Sequence, residues 1–281
     1  MGLIRRSRTE RPPEHDGRVT ERDLEILTTV GRQKIATTDQ LATAYFGDRS
    51  TASRRLARLV AMGHLRVEVP AQNGSNIYLL TKRSLALLVR EGVEEESLHL
   101  GRMPGVEHLE HLRALGDFHA MLRAELGAHE GVELLLVLFE HDLRRLAGAQ
   151  VPRYIPDLIV RLRSGPRVIA YAVEIDLGGE GADFFARSKV RETVSLARAR
   201  QPLFGLDRWR PLVVAPARTR LARLATAIAA ESGGGLWLGT DFQALQSGGV
   251  LGRSFASITT VAALARGAEI PFGESLLALG P

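Results

Sequence analysis

The sequence predicts a mixed α/β protein with two domains, and three observations support this prediction. The chain has 281 residues, which is enough for two domains or one large one. Its charge is uneven, because residues 1–91 hold 16 Lys+Arg against 10 Asp+Glu and the remaining residues hold 21 against 22. Helical patterns dominate the first third, whereas apolar strand-like runs alternate with helical patterns later. We therefore expect an N-terminal part that meets a polyanion and a C-terminal part with another task.

The composition restricts the kinds of site and location that the protein can have. The chain has no cysteine, so disulfides and thiolate zinc sites are excluded. No run approaches the roughly 18 apolar residues of a membrane span, and the N-terminus lacks the apolar segment of a signal peptide. We expect a cytoplasmic protein that does not contact membranes. Residues 1–18 are polar and rich in arginine and proline, which predicts a disordered basic arm.

Residues 19–91 show three short helices followed by a hairpin. Thr20, Thr38 and Ser50 each precede an apolar pattern of helical period, as capping residues do. Two strand-like runs then flank Asn73-Gly74, a strong signal for a tight hairpin turn. Three helices and a hairpin in this order predict a winged helix-turn-helix domain.

A winged helix of this kind predicts particular contacts with double-stranded DNA. The third helix would enter the major groove and the hairpin would lie along the backbone. The expected DNA-binding residues are Ser53, Arg54, Arg55, Arg58 and Asn73. A domain used only for protein contacts is the alternative, and the local positive charge argues against it. Such domains often act in pairs, so a homodimer is expected.

The rest of the chain predicts a second domain. Residues 92–105 have the composition of a linker. Residues 106–247 read as helix, strand, strand, strand, helix, strand, helix, strand, with an irregular basic loop after the first strand. Residues 248–281 are weakly patterned and are interpreted as a C-terminal tail.

Acidic residues stand at the ends of two apolar runs in this second domain. Asp157 opens the run 158–162, and Glu174 and Asp176 close the run 168–173. If the runs are neighbouring strands, a register that aligns their apolar faces brings Asp157 and Glu174 to one end of the sheet. Two converging carboxylates form an oxygen site for a cation such as Mg²⁺. The alternative is that these acids are ordinary turn residues or helix caps.

Lys189 follows on a predicted helix and is unusual in this composition. The chain contains 37 Lys+Arg, and only Lys34, Lys82 and Lys189 are lysines. Lysine is a compact point charge that suits the neighbourhood of a scissile phosphate, although a chance surface lysine is the simpler alternative.

Three consecutive strands flanked by helices, with acids at the second and third, resemble the core of the PD-(D/E)XK nucleases. Pro156-Asp157 is similar to the opening pair of that motif, and residues 174–176 are similar to its second half. Asp176 stands where these nucleases normally carry lysine, and Lys189 is placed to supply it from the helix. The resemblance implies a three-layer α/β fold, catalytic roles for Asp157, Glu174, Asp176 and Lys189, and Mg²⁺ bound by Asp157 and Glu174.

A wider resemblance covers most of the chain. A winged helix, a histidine-containing helix and the pattern E-I-D-x-G-x-E followed by lysine are similar to the replication-relaxation family of bacteria, plasmids and other mobile elements. The matching residues are Glu174, Asp176, Gly178, Glu180 and Lys189. Leu177 and Gly179 replace the usual arginine and threonine, and Thr193 stands where tyrosine is common. The resemblance implies DNA binding linked to plasmid replication or DNA relaxation, with replication or relaxation proteins as partners.

The sequence therefore predicts two alternative functions. The first is a DNA-binding protein whose nuclease-like domain nicks DNA with Mg²⁺. The second is a non-enzymatic regulator whose degenerate nuclease-like domain dimerises or binds a partner. If the Lys189 side chain does not reach the acids, the second function is favoured. A ribonuclease or RNA-binding protein is a third and weaker hypothesis.

Overall fold

A computed structural model describes residues 18–69, 74–149, 152–231, 234–264 and 268–277. The predicted basic arm, apart from Arg18, lies outside these residues. The chain divides into two compact units, Met1–Ala124 and Glu125–Pro281. The sequence places the division in the linker at 92–105 instead. Within the described parts of the chain, no helix combines the length and apolar character needed to cross a membrane.

Three helices open the first unit, namely α1 (Glu21–Gln33), α2 (Thr38–Tyr45) and α3 (Arg49–Ala61). Thr20 and Asp23 form the capping box of α1, in which each side chain binds the backbone of the other residue. The caps of the next two helices are Thr37 and Asp48, so each predicted start was wrong by one or two residues. In both cases the residue nearer the preceding turn has the extended backbone that a cap needs.

The first unit also contains a small antiparallel sheet in the order β1-β3-β2. Its strands are β1 (Ala36–Thr37), β2 (Leu65–Glu68) and β3 (Ile77–Leu80). The pairing of β2 with β3 places Leu65 opposite Leu80, as the predicted hairpin requires. The pairing of β1 with β3 was not predicted, because a two-residue strand has no detectable period.

Two more helices complete this unit, α4 (Lys82–Arg90) and the long α5 (Val106–Leu126), whose last residues belong to the second unit. The apolar core of the first unit joins α1, α2, α3 and α4 to the sheet. It includes Ile26, Leu27, Val30, Leu41, Leu56, Leu59, Leu80 and Leu88.

A six-stranded mixed sheet in the order β4-β5-β6-β7-β8-β9 is the centre of the second unit. Its strands are β4 (Val132–Phe139), β5 (Leu158–Ser164), β6 (Arg167–Ile175), β7 (Trp209–Ala215), β8 (Leu238–Asp241) and β9 (Ala256–Ser257). The neighbours β4, β5 and β6 are antiparallel, whereas β6, β7 and β8 run parallel. Because β6, β7 and β8 are parallel, the acidic C-terminal end of β6 lies at the same end of the sheet as the C-terminal ends of β7 and β8.

Helices of the second unit pack on this sheet. They are α6 (Glu140–Ala147), α7 (Ala182–Phe185), α8 (Arg191–Arg198), α9 (Arg218–Ala230), α10 (Phe242–Gly248) and α11 (Ile258–Ala262). A π-helical turn, Ala186–Val190, joins α7 to α8. One apolar core holds α7, α8, α9 and α11 against β7, through residues such as Phe185, Val190, Val213 and Leu221.

Two parts of the second unit differ from the sequence-based expectation. The segment predicted as an irregular basic loop contains α6, an eight-residue helix in which only Leu143 among the leucines is buried. The region after residue 248 adds β9 to the sheet edge and buries Phe255, Ile258 and Val261. Short elements of this kind obtain their stability from the partners they pack on and carry little periodic signal of their own.

Candidate functional site

Asp157 and Glu174 lie side by side at one end of the β5–β6 ladder. Leu158 pairs with Val173, so the residue before β5 falls opposite Glu174. The backbone N–H of Ile175 donates to Oδ2 of Asp157 over 2.8 Å. This bond fixes the Asp157 carboxylate at the end of the ladder, as the register argument predicted.

Lys189 joins this pair from the π-helical turn. Its Nζ atom lies 3.0 Å from Oε2 of Glu174 and donates a hydrogen bond to it. The Glu174 side chain is almost fully buried, whereas 30% of the Lys189 side chain remains exposed. Ala186 and Val190 of the same turn are buried in the core, so the helix that carries Lys189 is anchored on both sides of it. A π-helical turn is a local widening that is often found at functional sites.

The electrostatics of this cluster favour a proton on Glu174. Burial, followed by the nearby negative charge of Asp157, raises the pKa of Glu174 to about 8, although Lys189 acts in the opposite direction. Burial alone would lower the pKa of Lys189, but the charges of Glu174 and Asp157 raise it above its ordinary value. Lys189 is therefore a stable cation, and Glu174 is a carboxyl group that can exchange a proton near neutral pH.

Tyr154 is a fourth member of the cluster that the sequence did not reveal. Its hydroxyl lies near Glu174, and burial together with the Glu174 charge raises the pKa of Tyr154 well above its ordinary value. Among the described residues, neither the Tyr154 hydroxyl nor Oε1 of Glu174 has a hydrogen-bond partner with suitable geometry. The two groups are close enough for hydrogen bonding between them to raise the pKa of Tyr154 and to lower that of Glu174, so they form a weakly paired couple inside the cluster.

Asp176 has a different environment from that of Glu174. Arg220 from α9 binds both of its carboxylate oxygens, at 2.7 Å and 2.8 Å. The same arginine donates to the backbone oxygen of Glu180 over 2.7 Å, and Asp176 accepts from the N–H of Gly178. Gly178 has a φ of 89°, which favours glycine. Asp176 and Arg220 therefore shape the loop after β6, and Arg220 was not identified from the sequence because its role depends on a distant contact.

Asp157 and Glu174 are the two carboxylates of this cluster that could hold a divalent cation. The ladder places Asp157 opposite Glu174, the charge of Asp157 raises the pKa of Glu174, and Oε1 of Glu174 is buried without a hydrogen bond of suitable geometry among the described residues. Such an oxygen is a suitable ligand for Mg²⁺. In the described parts of the chain, no group of three or more histidine, aspartate or glutamate side chains is arranged to hold a metal ion. Any cation at this site would take its remaining ligands from water or substrate.

The predicted DNA-binding residues of α3 fall into two environments. Ser53 and Arg54 are exposed, and Arg58 is half-buried on the same helix. Arg55 instead forms an ion pair with the buried Asp23, with its Nε atom 2.7 Å from Oδ1. The Arg55 guanidinium thus stabilises the joint between α1 and α3. Asn73 lies outside the described residues.

Comparison with known families gives the class of the protein. The family model described as replication-relaxation matches residues 27–205, which is more than half of the chain. The match includes the first unit from Leu27 onward and the cluster of Asp157, Glu174 and Lys189. The chain therefore belongs to the replication-relaxation family, as the pattern at 174–189 suggested. Comparison with curated proteins and with solved structures found no match.

Proposed function

We propose that the protein binds duplex DNA through its first unit and cuts one DNA strand, with Mg²⁺, at the cluster in its second unit. The family supports a role in DNA replication or relaxation. The observation that carries the proposal is the convergence of Asp157, Glu174 and Lys189, with Lys189 Nζ 3.0 Å from Glu174. Two acids and a cation at one end of a sheet are groups that suit metal-assisted phosphodiester hydrolysis.

The DNA-binding part of the proposal rests on the first unit as a winged helix. Its three helices and its β2–β3 hairpin follow one another in the order that such domains have. The exposed face of α3 presents Ser53 and Arg54, which suit contacts with base edges and phosphates. The excess of basic residues in 1–91 supports attraction to a polyanion.

The second unit would act through the charge states of three side chains. Asp157 and Glu174 would hold Mg²⁺, which polarises a phosphoryl oxygen and lowers the pKa of water when bound. Glu174 must lose its proton before it can act as a ligand. Lys189 would stay cationic beside Glu174 and face the negative phosphate. Asp157 keeps its orientation through the N–H of Ile175.

The test of this proposal is a nicking assay on supercoiled plasmid with Mg²⁺ or Mn²⁺. We expect the wild type to produce open circles, and Asp157→Asn, Glu174→Gln and Lys189→Ala to reduce the rate by at least about 100-fold, as is typical for loss of a catalytic electrostatic group. Affinity for a labelled duplex, measured by fluorescence anisotropy, should stay within about twofold for the same variants. Glu133→Gln is the matched control, because Glu133 is an exposed acid on β4 that pairs with Arg163. Nicking by Glu174→Gln at the wild-type rate would refute the catalytic part.

A separate variant tests the DNA-binding surface. We expect Arg54→Ala to weaken duplex binding and to lower the slope of log affinity against log salt by about one, because one phosphate contact is lost. Competition with RNA in the same assay tests the ribonuclease alternative. Light scattering of the complex with DNA tests the predicted dimer.

The second candidate function is a non-enzymatic regulator whose second unit binds a partner. The observation that favours it is that each acid already has a cationic partner within the protein, Lys189 on one oxygen of Glu174 and Arg220 on both oxygens of Asp176. A protein of this kind would bind duplex DNA in the same anisotropy assay and leave supercoiled plasmid intact with both metals.

A further inference from the structure

The first unit contains a basic cavity that is separate from the exposed face of α3. Its volume is about 640 Å³, and it lies between the chain before α1, the start of β2, and α4. The charged and titratable residues that line it are Arg18, His64, Arg83, Arg90 and Glu91. Arg90 pairs with Glu91 over 3.1 Å, so the lining keeps an excess of positive charge.

His64 is the buried polar group of this cavity. Only 4% of the residue is exposed. Its Nδ1 atom lies 2.9 Å from Oγ of Ser84, and the hydroxyl of Ser84 donates to the backbone oxygen of His64 over 2.7 Å. Because the hydroxyl has a single proton and donates it to that oxygen, Nδ1 must carry the proton that it shares with Ser84. The other ring nitrogen, Nε2, has no hydrogen-bond partner among the described residues.

The position of His64 is fixed by the surrounding backbone contacts. Thr81 caps α4, and its hydroxyl proton is shared in a bifurcated hydrogen bond between the oxygen of Gly63, at 2.8 Å, and that of His64, at 3.1 Å. The opposite wall is also fixed, because Arg55 donates to the backbone oxygen of Arg18. The cavity therefore has two anchored walls, and its arginine side chains extend from them.

We propose that this cavity is a binding site for a phosphate-type oxyanion. The cavity presents several guanidinium groups, which suit phosphate oxygens because they offer paired donors in a plane. A protonated Nε2 of His64 would add a donor from the buried side. The proposal does not rest on the nuclease-like site, and it assigns a function to residues outside α3.

Burial and the positive charge of Arg83 disfavour protonation of the His64 ring. Burial, followed by the charge of Arg83, lowers the pKa of His64, whereas Asp23 acts weakly in the opposite direction. Asp23 is already paired with Arg55. The remaining charges around the ring are Arg18, Arg90 and Glu91 on the cavity walls. An anion between Arg83 and His64 would reverse the repulsion and raise the pKa of His64.

The direct test is a titration of the full chain with sodium phosphate and then pyrophosphate at constant ionic strength, followed by NMR of the histidine rings. We expect a saturable shift of the His64 resonances and a rise in the pKa of His64. Arg83→Ala should weaken phosphate binding by at least about tenfold, the effect of losing roughly 1.4 kcal/mol of interaction. Arg66→Ala is the matched control, because Arg66 lies on β2 in the same unit and pairs with Glu68 outside the cavity.

Competition with DNA identifies the source of the oxyanion. If a duplex displaces phosphate and Arg83→Ala lowers the salt slope of DNA binding by about one, the cavity takes a backbone phosphate. If phosphate binds and the duplex does not displace it, the cavity takes a free phosphorylated molecule. Both results support the site. Unchanged His64 resonances with phosphate, pyrophosphate and duplex, or equal affinities in wild type and Arg83→Ala, would overturn it, whatever the outcome of the nicking assay.

Discussion

Each unit buries an acid beside a base, and the two pairs differ in how completely the acid is satisfied. Asp23 in the first unit accepts hydrogen bonds from Thr20 and Arg55. Burial alone would raise the pKa of Asp23, but the bonds from Arg55 and Thr20 hold it below its ordinary value. Glu174 in the second unit has one bond from Lys189, a second acid nearby and an oxygen without a partner, and its pKa is raised to about 8. A satisfied acid stabilises the fold, whereas an unsatisfied acid indicates a functional site.

The largest change in the free energy of unfolding is expected when Arg55, the partner of Asp23, is removed. Arg55→Ala leaves the Asp23 carboxylate buried without its cation, and we expect a loss of about 3–5 kcal/mol in the free energy of unfolding. Chemical denaturation at pH 7 measures this loss. Arg54→Ala, on the exposed face of the same helix, should change the free energy of unfolding by less than about 0.5 kcal/mol. Similar small values for both variants would show that the Asp23 pair is not structural.

Removal of the Glu174 charge should raise the free energy of unfolding at high pH, whereas removal of Arg55 lowers it. A carboxyl group with a raised pKa stabilises the folded state in its protonated form, and this contribution is lost as pH rises through the pKa of about 8. We therefore expect Glu174→Gln to be more stable than the wild type by about 1–3 kcal/mol at pH 9 and close to it at pH 5. Denaturation at both pH values measures the difference, with Glu133→Gln as the exposed control. A less stable Glu174→Gln at pH 9 would contradict the unsatisfied state of Glu174.

Asp176 belongs to the pattern shared with the family, and its substitution tests whether the role of this acid is structural or catalytic. Its two bonds from Arg220 and its bond from Gly178 place it with the satisfied acids. We expect Asp176→Asn to lower the free energy of unfolding by about 1–3 kcal/mol and to keep most of any nicking activity. Denaturation and the plasmid assay measure the two effects on one preparation. Loss of nicking with unchanged stability would assign Asp176 to the reaction instead.

The smallest effect is expected at Tyr154. Its buried hydroxyl has no partner with suitable geometry and makes only a weak interaction with Glu174, so its removal in Tyr154→Phe costs at most one weak hydrogen bond. We expect the free energy of unfolding to change by less than about 1 kcal/mol. The affinity for Mg²⁺, measured by calorimetry, should also change only slightly. A loss above about 2 kcal/mol would mean that the hydroxyl bonds tightly to Glu174 in solution.

The sequence predicted the parts of the site that depend on local pattern. The register of β5 and β6 follows from two apolar runs, and this register places Asp157 beside Glu174. Lys189 stands out because lysine is scarce in this chain. The strand register can be predicted because a strand period extends over several residues, and the scarcity of lysine follows from composition alone.

The parts that the sequence did not predict depend on contacts between distant residues. Tyr154 precedes β5 by a few residues and has no signal that links it to Glu174. Arg220 is one arginine among many, and its contact with Asp176 spans 44 positions. Arg55 was grouped with the DNA-binding residues because its helix position is close to those of Arg54 and Arg58, and only the fold shows its ion pair with Asp23.

The wide helical turn at 186–190 makes the geometry of the cluster sensitive to chain length. Each residue of an α-helix advances the backbone by about 100°, so removal of one residue here would turn the helix on one side relative to the other by about that angle. The ammonium group of Lys189 would then point away from Glu174 while both helices kept their composition. A change in chain length alone, with every charged side chain retained, would therefore break the contact between Lys189 and Glu174.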